Sequence, residues 1–480
     1  MQILTIMDSE KKLNSKADYC AAAQARRLER KRNAGQPESA PVQRPPKINS
    51  ESIEKILKSY NNFVMTIALF SDSYLPTKSG IVTVVMQLRE QLIKRGHKVL
   101  LITVETTQEF STNDPAIYRV RSKPLGLGTD QFIAMPFLPR LLRYIKENNV
   151  DLIHCHTEFG VAKAGLYCAK KLKIPSICTT HTLWTDFYKY YLPMGNLISP
   201  KIILKFMNSF YGKFDSLIGV STKARNYFKQ KNMIPNMPSV IVPNAIDENK
   251  FQQKHFTDEQ RHEMRMKYGV QDDDVLLLFL GRIGEEKRVF ELLRICQNIV
   301  AKNSRCKVIF VGNGPAYQEM MEKSEKEIAQ GKIIFTGFVE WSNVHNFYDS
   351  ADLFITASLS EMHSMTIIEA ELSSLPIIVR KDESYMDSVF DGINGYVCET
   401  DEEMEIHALE LAEDDEKRKA FGSKSLKISE NFSIENHIQR TLFVYNEVIK
   451  AYPKKINDVD VMKRMALEFI NKSNLDITKS

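Results

Sequence analysis

Ser360-Glu361-Met362-His363-Ser364-Met365-Thr366-Ile367-Ile368-Glu369-Ala370 follows shortly after the apolar run Asp352-Leu-Phe-Ile-Thr-Ala357. The pattern predicts a strand ending near Ala357, a loop carrying Glu361, and a helix opening between Ser364 and Thr366. The first turn of a helix leaves backbone N–H groups without intrahelical acceptors, so such a loop presents donors to an anion. A nucleoside diphosphate fits that description. Glu361 on the loop would face an attached sugar, and Glu369, one turn into the helix, would accept hydrogen bonds from ribose hydroxyls. The spacing from Thr366 to Glu369 also suits a capping box, in which Glu369 reaches back to the helix start. Taken alone, the stretch serves both readings.

The pattern repeats on either side of this stretch. Strands are expected at 64–70, 98–104, 151–155 and 175–180, alternating with helices at 80–95, 137–148 and 161–172 and with further pairs to about 242. A second series, with strands at 275–280, 307–311, 332–335, 352–356 and 376–380, continues to about 435. Alternation of this kind implies parallel sheets covered by helices on both faces. Two doubly wound α/β domains in tandem place their ligand sites at the carboxyl ends of both sheets, facing one cleft. The boundaries expected are an extension over 1–62, an N-terminal domain over 63–250, a C-terminal domain over 251–435, and a last helix and tail over 436–480. The polar segment 247–274 is expected to be the linker, and a charged tail is expected after Pro453.

Composition narrows the function. The chain has 480 residues, 43% hydrophobic and 26% charged, a globular profile long enough for two cores. No apolar run approaches the ~18 residues of a membrane span, and Asp8, Glu10, Lys11 and Lys12 stand where a signal peptide would be apolar. A cytoplasmic protein is expected. Seven cysteines, odd in number and scattered without metal-ligand spacing, read as reduced core residues. The net charge of +5 is concentrated: residues 21–50 hold seven basic residues against two acidic ones, and the remainder is neutral. The extension reads as a solvated arm, with attraction to an anionic partner as the alternative.

Three further segments face the expected cleft. Ser71-Asp72-Ser-Tyr-Leu-Pro76-Thr-Lys-Ser-Gly80 opens a helix at a glycine, which would permit close approach of a phosphate. It is neither a dinucleotide fingerprint nor a P-loop. Gly281-Arg282-Ile-Gly284-Glu285-Glu286-Lys287 places two cations on one loop at a strand end, suited to a diphosphate leaving group without a metal ion; an exposed charged turn is the plain alternative. His181, in Thr179-Thr-His181-Thr-Leu-Trp184, would enter the cleft beside Glu158. His154 and His156 share a strand face, but hydrogen bonding to loops is the commoner use of such a pair than metal ligation.

Together these residues resemble the retaining GT-B glycosyltransferases that carry a Glu-x7-Glu motif, glycosyltransferase family 4. The likeness spans about residues 64–440: Pro76 to Gly80, Arg95-Gly96-His97, His181, Val242-Pro243-Asn244-Ala-Ile-Asp247, Gly281-Arg282, Glu286-Lys287, Val311-Gly-Asn-Gly314 and Glu361 to Glu369. Within the family the chain is similar to the diacylglycerol glucosyltransferases through Gly126-Leu-Gly128-Thr-Asp130, His156-Thr157-Glu158-Phe159 and the aromatic run 184–191. The resemblance implies two Rossmann-like domains around a central cleft and a C-terminal crossover helix. It implies catalytic roles for Glu361, His181, Arg282 and Lys287, and nucleotide-sugar binding by Gly80, Glu369, His363, Ser364, Met365 and Thr366. No metal and no cofactor are implied. The expected reaction moves glucose from UDP-glucose to 1,2-diacylglycerol, with the diphosphate oxygen taking the acceptor's proton. Alternatives are a soluble or polyprenyl-linked glycan as acceptor, or a non-catalytic partner subunit, which the intact charged set disfavours.

Two departures from the family pattern stand out. Ser364 and Ser374 occupy positions where relatives usually carry glycine, and with ordinary backbone they would keep their N–H donors. Donor-sugar identity is what these departures put in question. A lipid acceptor requires contact with an anionic membrane surface and no nucleic acid. Arg140, Arg143 and Lys146, at helical spacing, are candidates for that contact, as is the segment from Lys201 to Lys205. Trp184 and Tyr188 are candidates for the acceptor. The expected location is the inner face of the cell membrane, held peripherally.

Overall fold

The computed structural model describes residues 64–470 except 78, 106–113, 125–131, 185–187, 190–196 and 252–255. The extension over 1–62, Gly126 to Asp130, Tyr190 and Tyr191 lie outside the described residues.

The strands are β1 (Thr66–Ser71), β2 (Lys98–Val104), β3 (Ile117–Val120), β4 (Ser122–Pro124), β5 (Phe132–Ala134), β6 (Leu152–Cys155), β7 (Ser176–Thr180), β8 (Ser216–Gly219) and β9 (Ser239–Ile241). Seven of them form a parallel sheet in the order β3-β2-β1-β6-β7-β8-β9, while β4 and β5 pair separately. A second parallel sheet has the order β12-β11-β10-β13-β14-β15, from β10 (Val275–Leu280), β11 (Cys306–Val311), β12 (Ile333–Gly337), β13 (Leu353–Thr356), β14 (Ile377–Arg380) and β15 (Gly395–Cys398). Strand order reverses between β1 and β6 in one sheet and between β10 and β13 in the other. Ligand crevices of doubly wound sheets open at such points.

The central strands are buried on both faces, as Val-Leu-Leu-Leu-Phe-Leu in β10 requires. Helix Ile434–Ala451 leaves the second sheet and packs Ile438, Leu442, Val444 and Val448 into one apolar cluster with Ile67, Leu69, Val85 and Leu88 of the first. The crossover helix is therefore present. Six described cysteines are buried and unpaired, and no helix among the described residues is long and apolar enough to cross a membrane.

Three expectations need correction. Segment 247–274 is not merely a linker: helix Asp258–Lys267 opens with a Thr257/Gln260 capping box, and its Arg265 is buried, bonded to Asp352 at 3.0 Å and to the carbonyls of Ser350, Gln271 and Asp274. One guanidinium meeting that many acceptors locks the helix to the start of β13. The charged tail after Pro453 contains helix Asp458–Ile470, which buries Val461 and Met465 and brings Asp458 to Lys229 at 2.8 Å. Strand β15 is absent from the expected series, which stops at 376–380. Gly395, which opens β15, is there for space: a Cβ would lie 1.9 Å from the Ile377 carbonyl oxygen.

Candidate functional site

A cleft of about 370 Å³ opens between the carboxyl ends of the two sheets. From the first domain it is lined by Ser79, Gly80, Ile81, Val84, His181, Thr182 and Asn244, and from the second by Arg282, Glu286, Lys287 and the run 360–366.

The loop after β10 is held by backbone. Gly281 N–H donates to Val311 O (3.0 Å), Ile283 N–H to Asn313 O (3.0 Å) and Ala316 N–H to Ile283 O (3.1 Å). This approach explains the glycines opposite. A Cβ on Gly312, whose φ is +137°, would lie 1.9 Å from Gly281 O, and one on Gly314 would lie 2.2 Å from Ile283 O. The loop then makes a 3-10 turn, Glu285–Lys287. Arg282 pairs with Glu286 at 2.5 Å, and Lys287 pairs with Glu361.

Glu361 sits on the loop after β13 and also accepts from Ser358 Oγ at 3.2 Å. Burial would raise its carboxyl, but the Lys287 ammonium, with help from Ser358 and the Lys223 charge, holds it below the usual carboxylate range. Helix Met365–Leu372 follows, with Ser364 at its N-cap. The Ser364 hydroxyl makes no cap; it lies 2.9 Å from Thr366 Oγ1. Ser364, Met365 and Thr366 all line the cleft at this helix start, where first-turn donors favour an anion.

On the other wall, Ser79 caps helix Gly80–Lys94 by accepting from Val82 N–H at 3.4 Å. A Cβ on Gly80 would meet nothing within 4 Å, so the glycine borders open space rather than packed backbone. His181 lies 3.3 Å from His156 across ring nitrogens and stacks on it at 5.6 Å between centroids. Burial, then the neighbouring His437, pushes the His181 imidazole down to about 3, so it is neutral. The nitrogens of His154 are taken by Tyr445 Oη (2.6 Å) and Thr179 Oγ1 (2.7 Å). No group of three or more His, Cys, Asp or Glu among the described residues is placed to hold a metal ion.

Glu361, His181, Arg282, Lys287, Gly80, His363, Ser364, Met365 and Thr366 thus share one cleft. Glu369 is set back from it: its carboxylate accepts from Tyr348 Oη at 2.7 Å, and burial pushes it up to about 7 against the bonds from Tyr348 and Trp341. The capping-box alternative fails, since with Ser364 at the N-cap the third helical position is Ile367. Trp184 and Tyr188 are core residues, with the indole donating to Glu158 (2.9 Å) and the phenol to Ile198 O (3.1 Å). Their expected contact with an acceptor does not fit that burial. Arg140, Arg143 and Lys146 are exposed on helix Leu138–Glu147 and do not line the cleft. Of the motif Arg95-Gly96-His97, His97 accepts from Met65 N–H at 3.2 Å and Arg95 pairs with Glu435, both structural uses. Asn244, which carries no charge to single it out within Val242 to Asp247, is 6% exposed, lines the cleft and leaves its Oδ1 without a partner among the described residues.

Comparison with known proteins follows the same division. Residues 78–250 match the family model described as Glycosyltransferase Family 4, and residues 260–428 match Glycosyl transferases group 1. An alpha-monoglucosyldiacylglycerol synthase of Acholeplasma laidlawii is 30% identical over 398 residues, covering 82% of this chain and 100% of that protein. A protein so described from Streptococcus pneumoniae is 30% identical over 376 residues, covering 78% and 85%. Among solved structures, Anabaena HepE in complex with UDP-glucose aligns with a TM-score of 0.61 at 16% identity, over 80% of this chain and 99% of that one. Sucrose-phosphate synthase of Thermosynechococcus elongatus aligns with a TM-score of 0.63 at 16% identity, over 81% and 100%.

Proposed function

The chain belongs to the GT-B glycosyltransferases assembled from family 4 and group 1 segments, and from that premise we propose that it transfers glucose from UDP-glucose to 1,2-diacylglycerol with retention at the anomeric carbon. The observation that carries the reading is the meeting of Gly80 and His181 with Arg282, Lys287, Glu361 and the Ser364 helix start in one cleft. Two relatives described as alpha-monoglucosyldiacylglycerol synthases supply the acceptor.

In this reaction the bond between sugar C1 and the β-phosphate oxygen breaks, and C1 bonds to the acceptor's hydroxyl oxygen on the same face. The hydroxyl proton passes to the β-phosphate oxygen. Negative charge grows on the departing diphosphate, where Arg282, Lys287 and the first-turn N–H groups would be worth most. Donor binding would exchange partners: Lys287 turns from Glu361 to phosphate, and Glu361 is released to sugar hydroxyls. With two cations on the loop, the reaction is proposed to run without a metal ion. His181, neutral and close to His156, would orient a hydroxyl rather than supply charge.

The acceptor requires a membrane, and the first domain offers a surface for one. Helices Leu138–Glu147, Gly160–Leu172 and Pro200–Tyr211 are neighbours, linked by packing of the first two and by Lys163 Nζ 4.5 Å over the Phe206 ring. Their exposed basic residues are Arg140, Arg143, Lys146, Lys163, Lys170, Lys171, Lys201 and Lys205, and Glu147 is the one acidic residue in these helices. Phe137 and Leu197, 70% and 77% exposed, flank them. This is the composition of a peripheral anionic-lipid surface, consistent with a place on the inner face of the cell membrane. The test is transfer from radiolabelled UDP-glucose in EDTA to anionic vesicles containing diacylglycerol. Labelled glycolipid is expected; donor hydrolysis without lipid product would move the acceptor to a soluble or polyprenyl glycan.

A further inference from the structure

The loop that carries Glu361 is gripped at both ends by the opposite domain. Lys223 of the N-terminal domain donates from Nζ to Leu359 O at 3.0 Å, and Ser221 Oγ donates to Met362 O at 2.5 Å. Glu361 lies between the two held carbonyls. The Met362 side chain is buried and joins the apolar cluster of the N-terminal domain rather than its own. Beside the loop, the start of helix Thr222–Lys229 holds the second domain by charge. Thr222 donates to Asp387 from its backbone N–H (2.7 Å) and its Oγ1 (2.6 Å), and Lys223 also pairs with Asp382 at 2.7 Å. Asn226 Nδ2 reaches Glu383 Oε2 at 3.2 Å.

Each of these contacts joins residues 136 to 165 positions apart in the chain. Within its own domain the loop is held by Tyr385 Oη, which donates to Ser358 O at 2.8 Å, and by the Lys287–Glu361 pair. The carbonyls on either side of Glu361, by contrast, are bonded by residues of the opposite domain. Such an arrangement ties the position of a reacting-site group to domain closure, where catalysis is sensitive to displacements of an ångström.

We propose that Ser221, Thr222 and Lys223 are positioning residues that, through Leu359, Met362 and Asp387, set Glu361 for reaction only in the closed molecule. The proposal rests on the glycosyltransferase reading of the cleft. The contact is more than a hinge ornament because Lys223 and Ser221 address the Glu361 loop itself, while Asp387 and Asp382 supply the anchoring.

The experiment uses the full chain with Lys223→Met and Asp387→Asn, and with Lys223→Arg as the conservative variant. For Lys223→Met and Asp387→Asn, kcat for glucose transfer should fall at least tenfold while KM for UDP-glucose stays within about threefold, the split expected when an interaction acts on the transition state. Lys223→Arg should recover kcat to within about threefold. Small-angle scattering in buffer alone should show a larger radius of gyration for the two loss variants than for wild type and Lys223→Arg. Wild-type kcat in Lys223→Met, or a unchanged radius in both loss variants, overturns the proposal. If wild type transfers no glucose yet the two variants still expand, the latch is supported and it is the substrate reading that fails.

Discussion

Replacing Lys287 by methionine separates the two duties of one side chain. In the structure its ammonium pairs with Glu361, their side chains 24% and 19% exposed, and in the proposed reaction it faces the diphosphate. Loss of one charge-stabilising donor at a developing charge costs about 10²–10³ in kcat, or ~3–4 kcal/mol. Stability changes separately. Breaking a fully buried pair costs about 3–5 kcal/mol, and the partial exposure here brings the expected loss to roughly 2 kcal/mol. The pH dependence distinguishes this from simple loss of packing. In the wild type, Glu361 lies below its usual 4.5, so its contribution is present above that value and fades as pH falls through the folded pKa. Without Lys287, burial is the dominant influence and raises the carboxyl, so the stability penalty should grow as pH rises above about 4.5. Initial rates with radiolabelled UDP-glucose, and thermal unfolding from pH 4 to 8, measure both. A kcat within threefold of wild type, with a stability difference independent of pH, would refute the assignment of Lys287 to both partners.

Other substitutions test separate parts of the argument. Glu371 is fully buried on the helix that carries Glu369, and neither of its carboxyl oxygens has a partner among the described residues; burial raises it well above 4.5. A raised acid makes the wild type lose stability as pH climbs above 4.5, so Glu371→Met should gain about 1–3 kcal/mol in denaturant titrations, with the gain larger at pH 8 than at pH 5. Ser374 has φ +56°, a left-handed conformation that disfavours a Cβ, so Ser374→Gly should stabilise by about 0.5–1 kcal/mol with kcat unchanged. Changing Arg140, Arg143 and Lys146 together to alanine removes three charges worth about 1 kcal/mol each at an anionic surface. Vesicle sedimentation should show roughly 10²-fold weaker binding to anionic vesicles at low salt and little difference at 1 M salt; equal binding at low salt would remove these residues from the membrane surface.

How much could be read from the chain depended on how local the cause was. The alternating runs predicted the two sheets because each central strand is buried on both faces and so is apolar throughout, as in β10. The Ser364 helix start was legible because strand, loop and helix follow one another within twenty residues. Strand β15 and helix Asp258–Lys267 were missed for the opposite reason. The glycine that opens β15 is required by a carbonyl of another strand, and a polar helix is kept in place by one buried arginine meeting acceptors as far away as Asp352. Ser374 shows the same limit on a single dihedral: its departure from the family glycine was visible, but its left-handed backbone was not.

The site divides along that line too. Arg282, Lys287 and Glu361 announce themselves by charge at strand ends, so their meeting in one cleft was expected. Lys223 and Ser221 stand in an ordinary helix-start sequence, and Leu359 and Met362 take part through backbone carbonyls, which every residue possesses. No residue type marks such a contact. It becomes visible only when the 140 positions between Ser221 and Met362 are folded up, and it then shows the Glu361 loop held by the first domain as well as by the strand that precedes it. In the proposed reaction, that arrangement would hold Glu361 in register while the two halves are together, when water would also be kept from the donor.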